Sequence, residues 1–144
     1  MGFRYVKDYN GVHTELEILK AQDAVKEGDA LKLGTNKNEV TPVTAGADLV
    51  IGVASHDADA GEEVAVYPAG PQSIFEVPTV TTGYVEATYK YQKCDITDFT
   101  SGAMKIDPAT TTSGQVKMVE LQDGETSGSI GNKVLVAFTL RAGV

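Results

Sequence analysis

The stretch from Gly28 to Val66, GDALKLGTNKNEVTPVTAGADLVIGVASHDADAGEEVAV, sets short apolar runs between polar turns. Its pieces read as a strand at Ala30–Leu33, a Gly- and Asn-rich turn, a strand around Val50–Ala54, an acidic turn, and a strand at Val64–Tyr67. Leu31 and Leu33 are expected to face inward with Lys32 outward. Val50–Ala54 is apolar on both faces, which predicts a central strand, and Gly52 marks a place where another backbone comes close. Pro42 cannot donate to a ladder and suits a strand end or an edge.

Outward from this stretch the same grammar continues. Thr14–Lys20 alternates Glu15 and Glu17 against Leu16 and Ile18, which predicts a half-buried strand with the two apolar residues inside. Further strands are predicted at Ile74–Val77, Tyr84–Tyr91, Met104–Ile106, Val116–Leu121 and Val134–Leu140. Turns are expected at Pro68–Pro71, Asp95–Gly102, Asp107–Gly114 and Gly124–Gly131. No segment of helical length carries a 3.6-residue apolar period, so the chain reads as all-β, a small barrel or sandwich.

Two pairs of blocks echo each other: Ala30-Leu31-Lys32-Leu33 with Ala103-Met104-Lys105-Ile106, and Gly61–Val66 with Gly131–Val136. Each copy holds a strand between its blocks, Val50–Ala54 and Val116–Leu121. The expected organisation is an N-terminal arm over 1–13, a first β unit over 14–78, and a similar second unit over 79–144 packed with the first. Chance recurrence of hairpin punctuation accounts for the same echo equally well.

The 144 residues suffice for one domain or two small lobes without covalent staples. A formal charge of −8 argues against nucleic-acid and anionic membrane surfaces, which need clustered Lys and Arg. The single cysteine, Cys94, has no intramolecular partner and is expected to be a packed side chain. The opening residues lack the apolar core of a signal peptide, and Val6 stands where a myristoylation pattern wants Ser or Thr. Asp57, Asp59, Glu62 and Glu63 could gather around Ca²⁺, but a solvated turn accounts for them too. Two histidines without paired spacing predict no zinc site. No nucleophile elbow or phosphate loop is present, and no carboxylates are spaced as an acid–base pair, so no enzyme activity and no cofactor are expected.

Gly28-Asp29, Leu31–Leu33, Ile51-Gly52-Val53-Ala54 and Gly61-Glu62-Glu63-Val64 together resemble the small β domain of tailed-bacteriophage capsid decoration (cement) proteins. The resemblance covers about residues 24 to 70, with a fainter echo to 140. The second unit departs from it, with Val116-Lys117-Met118-Val119 in place of IGVA. The resemblance implies a β-tulip-like protein on the outer surface of a virion. Its partner would be the major capsid protein, and copies would associate as homo-oligomers, trimers in many relatives. On that reading Phe3, Arg4, Tyr5, Val6 and Tyr9 form an extended arm that adds to a capsid strand; on the alternative reading the same residues are a first edge strand. Ala103-Met104-Lys105-Ile106 also resembles the lysine turn of biotin carrier domains, which would make Lys105 an attachment site, and the acidic turn leaves a Ca²⁺- or glycan-binding module as a further alternative.

Overall fold

The computed structural model describes residues 2–8, 15–80, 91–121 and 133–141. Tyr9, all of the strand expected at Tyr84–Tyr91 except Tyr91, and the whole loop expected at Gly124–Gly131 lie outside the described residues. The elements are β1 (Arg4–Asp8), β2 (Glu17–Ala21), β3 (Ala30–Leu33), β4 (Glu39–Pro42), β5 (Gly52–Ala54), β6 (Glu63–Pro68), β7 (Ser73–Pro78), β8 (Lys93–Asp98), β9 (Lys105–Asp107), β10 (Val116–Leu121) and β11 (Lys133–Phe138). The chain is all-β, with no helix among the described residues.

Five strands close into a barrel in the order β2-β4-β3-β5-β6, and the other six form a sheet in the order β1-β7-β11-β10-β8-β9. Ala21, Leu31, Val40, Ala54, Val64 and Val66 fill the barrel. The barrel wall turns Ala30, Val43, Val50 and Val53 toward the sheet, where they meet Phe75, Val77, Ile96, Met118, Val136 and Phe138. Alternation along β5 explains its composition: Val53 faces the sheet and Ala54 faces the barrel interior, so both sides of the strand are buried. On the far face of the sheet Ile74, Val119, Leu135 and Ala137 make a third buried cluster.

Two backbone positions show why the residue types were needed. A Cβ on Gly52 would lie 2.4 Å from the Tyr67 carbonyl oxygen, so only glycine lets β5 lie against β6 there. Pro42 ends β4: the N–H of Val43 donates to Ala30 O at 2.9 Å, so by alternation the nitrogen of Pro42 points away from β3. On that other side β4 pairs with β2 only as far as Val40, so no ladder bond is lost.

The sheet repeats the barrel strand for strand. In the barrel β6 pairs antiparallel with β2 and β5, β3 pairs antiparallel with β5 and β4, and β2 closes on β4 in parallel. Beyond it β11 pairs antiparallel with β7 and β10, β8 pairs antiparallel with β10 and β9, and a parallel bridge joins Thr79 to Ile106 of β9. Individual bonds match as well. Gly28 N–H donates to Ala54 O and Ala54 N–H to Asp29 O; Tyr91 N–H donates to Met118 O and Met118 N–H to Gln92 O. Gly28 and Tyr91 both have positive φ, 90° and 64°. Gln22 N–H donates to Val40 O, as Val80 N–H does to Ile106 O.

This equivalence revises the echo read from sequence. Within the described residues Glu63–Val66 and Lys133–Val136 match as expected, because Val66 faces Ala54 as Val136 faces Met118. The other block is shifted: the counterpart of β3 is β8, and Ile106 corresponds to Val40 rather than to Leu33. Lys32 therefore answers to Asp95, not to Lys105. The sheets also divide the chain between Pro68 and Ser73, and β7 joins the second set of strands.

Three side chains expected to face inward are exposed instead. In β2 the inward residues are Leu19 and Ala21, so Leu16 and Ile18 are left 44% and 59% exposed. Leu33 sits at the end of its strand and is likewise exposed, while Leu31 is fully buried.

Candidate functional site

Residues 3–8 lie along the chain's own sheet. β1 pairs antiparallel with β7, Arg4 opposite Glu76 and Lys7 opposite Ile74, with a bulge between Tyr5 and Lys7. Phe3 is buried, donates its N–H to Gly28 O at 2.9 Å, and packs its ring 5.0 Å from that of Phe138. Tyr5 stacks on Tyr67 of the barrel at 4.8 Å and meets the edge of Phe75 at 5.7 Å. Val6 turns to the far face, against the Ile74 cluster. The segment expected as an extended arm is thus an edge strand in this chain, because Phe3 and Tyr5 have apolar partners at home.

Arg4 holds Glu76 through two bonds, at 3.2 and 2.9 Å, and Lys133 approaches the same carboxylate at 3.9 Å. Glu76 is only 4% exposed, so its charge needs these cations. The hydrogen bonds to Glu76 outweigh desolvation and raise the Arg4 pKa above its ordinary value. Between β1 and the barrel lies a cleft of about 140 Å³, bounded by Arg4, Tyr5, Tyr67, Glu27 and Ser55. That is room for one side chain and too little for a drug-sized ligand.

Two buried polar side chains, Asp29 and Gln115, join the two strand sets, and a third, Asp95, holds the turn before β10 within the second set. Asp29 accepts from Ser101 Oγ at 2.6 Å, from Gly102 N–H at 2.7 Å and from Lys26 N–H at 3.0 Å. Asp95 accepts from the backbone N–H of Ser113 and Gly114, the latter at 2.6 Å. Gln115 donates to the carbonyls of Ala45 and Asp48, at 3.2 and 2.9 Å, and takes the N–H of Ile96 at 3.3 Å. Every acceptor here is committed to structure. The only foretaste in the sequence was the Gly28-Asp29 turn, whose side chain is the link rather than a mere turn former.

The remaining candidates also resolve into local structure. Asp57 accepts from Glu27 N–H at 2.8 Å and lies 3.7 Å from Lys26 Nζ; Glu62 accepts from Asp59 N–H at 2.7 Å. No group of three His, Cys, Asp or Glu side chains among the described residues could hold a metal ion. Ala65 N–H donates to His56 Nε2 at 3.1 Å, so that nitrogen carries no proton, and Nδ1 donates to Asp57 O at 2.8 Å. Cys94 is fully buried, and desolvation, with the nearby charges of Asp95 and Asp107, pushes its thiol pKa up to about 12. Lys105 opens β9 opposite Asp98, past the turn at Ser101-Gly102, and nothing around it supports a carrier-domain attachment site. No helix among the described residues is long and apolar enough to cross a membrane.

No family model matches the chain, and no curated protein matches it. Among solved structures it is similar to the crystal structure of head fiber gp8.5 N base in bacteriophage phi29. The identity is 17%, the match covers 88% of this chain and 94% of that chain, and the TM-score is 0.49.

Proposed function

We propose that the protein is a non-enzymatic capsid decoration protein that binds the outer surface of a bacteriophage head and stabilises it. The observation that carries this reading is where the pieces of the sequence resemblance fall. The Gly28-Asp29 turn, β3, β5 and β6 are neighbouring parts of one closed barrel, each with a structural reason for its residues. A shared pattern of that kind describes a folded unit, whereas scattered turn grammar would not assemble into one wall. Asp29 and Gln115 tie the two strand sets together, which suits a rigid coat component.

The mechanism is additive binding. The partner is the major capsid protein, and copies associate into homo-oligomers, with trimers favoured by the resemblance. Each bound copy shifts the shell toward its intact state by mass action, about 2.7 kcal/mol per site when free protein is 100-fold above its dissociation constant. The net charge of −8 would keep a coated particle soluble. The reading is tested by heating undecorated tailed-phage shells with increasing amounts of the protein and following release of their contents. The expected result is a disruption temperature that rises and then plateaus at full occupancy. An unchanged temperature on shells that demonstrably carry the protein contradicts the stabilising role.

A further inference from the structure

The equivalence of the two strand sets exposes one difference between them. In the second set β7 is flanked by β11 on one side and by β1 on the other. Its residues Ile74 and Glu76 pair with Lys7 and Arg4 of β1 and are 1% and 4% exposed. In the first set the corresponding residues of the β2 segment are Leu16 and Ile18, since Ile18 faces Ala65 as Glu76 faces Leu135. Nothing among the described residues pairs with them on the side that β1 occupies in the second set, and they are 44% and 59% exposed.

Backbone direction confirms that this edge is a usable template. Ala21 exchanges bonds with Glu62 O and Gly61 N–H on the β6 side, and Lys20 and Gln22 donate to Asn38 O and Val40 O on the β4 side. By alternation the N–H and C=O of Leu16 and Ile18 point to the β4 side, where the β2–β4 pairing begins only at Lys20. Two ladder positions are therefore without a partner among the described residues, next to two exposed apolar side chains. Glutamates alternate with them at Glu15 and Glu17, both exposed.

We propose that the Glu15–Ile18 edge is a strand-addition site that takes an extended segment of a partner protein, with apolar residues beside Leu16 and Ile18 and Lys or Arg beside Glu15 and Glu17. Strand addition of this kind draws affinity from main-chain bonds and selectivity from alternate side chains. Charge chooses the occupant. A second copy pairing this edge about a two-fold axis centred on Leu16 or Glu17 would set glutamate against glutamate, which is unfavourable directly across a ladder. A basic strand meets the opposite sign. β1 shows the backbone geometry within the molecule, an edge strand on the matching side of β7, with its Arg4 and Lys7 opposite the counterparts of Ile18 and Leu16. That the strand comes from the shell protein rests on the function proposed above; the site itself does not.

Two measurements on the full chain separate these points. In the first, the ¹⁵N-labelled protein is titrated with a capped Lys-Val-Lys-Val-Lys-Val peptide, with the Glu-Val counterpart and a backbone N-methylated Lys-Val peptide as controls. The basic peptide is expected to shift the Leu16 and Ile18 amides and slow their exchange with solvent, leaving Ile74 and Glu76 unmoved, while neither control does so. No protection at Leu16 and Ile18, or equal protection by the acidic peptide, overturns the site. In the second, Ile18→Pro and Ile18→Lys are compared with wild type for binding to undecorated shells. The proline removes an outward donor without touching the β6 ladder and is expected to weaken binding about ten-fold, the worth of one ladder bond. The lysine, which leaves the backbone unchanged, should weaken it through charge and lost apolar contact. Wild-type binding with both variants unaffected overturns this edge as the shell contact while leaving the decoration reading intact. Failure of the wild-type chain to bind any shell removes the decoration reading, and the peptide titration still decides the site.

Discussion

Asp29 shows how one side chain can tie distant parts of the chain together. Its carboxylate is completely buried and takes three donors, two of them from the Ser101-Gly102 turn more than seventy positions away in sequence. Replacing it with alanine leaves those donors without their shared acceptor and opens a gap at a fully buried position. Asp29→Ala is expected to lower stability by about 3 kcal/mol in urea unfolding. A loss below about 0.5 kcal/mol, the size of a neutral surface change, contradicts the role given to this residue. Cys94 makes the converse case of a reactive group held inert. Its thiol pKa of about 12 leaves almost no thiolate at pH 8, so a disulfide reagent should label the native protein only as fast as it unfolds. Rapid labelling under native conditions contradicts the packing of β8.

At the scale of strands, the loop before β5 carries a charge-linked contact with a pH signature. Burial works against the ionised form of Asp48, but the N–H groups of Thr44 and Ala45 and the Lys32 ammonium outweigh it and hold the carboxyl below its usual range. A carboxylate lowered on folding contributes stability above its unfolded-state pKa of about 4 and loses it as pH falls through the folded value. Wild type should lose stability below pH 4 more steeply than Asp48→Asn, measured by denaturant midpoints across pH; parallel profiles contradict the pairing. Strands themselves were legible because their signals are local. Period-2 runs and turn residues located β3, β6, β7, β10 and β11, and Gly52 announced the close approach of β6. Phase and pairing were less so. β2 offers two apolar registers, Leu16 with Ile18 or Leu19 with Ala21, and only the barrel's closure decides for the second. The match of β3 with β8 likewise depends on hydrogen bonds between strands, which leave no mark on residue type; the turn expected at Asp95–Gly102 begins only after β8 ends at Asp98, and its contact with Asp29 is long-range.

For the molecule as a whole, the described residues form two sets of five strands with one pairing scheme, a closed barrel packed against an open sheet, and the added strand β1 covers an edge that no described residue covers in the first set. Phe3 belongs to the shared core, so a truncation through residue 12 removes core packing and does not isolate a binding segment. Changes on the exposed edge are the cleaner probe of partner contact. The central claim is that this molecule coats a phage head. Co-sedimentation of the purified protein with undecorated tailed-phage shells, over a range of protein concentrations and beside the protein alone, tests it most directly. The account predicts binding that saturates at a fixed number of copies per shell, a number that identifies the symmetry position occupied. Protein that stays in the supernatant with every shell, or that pellets without a plateau, contradicts it.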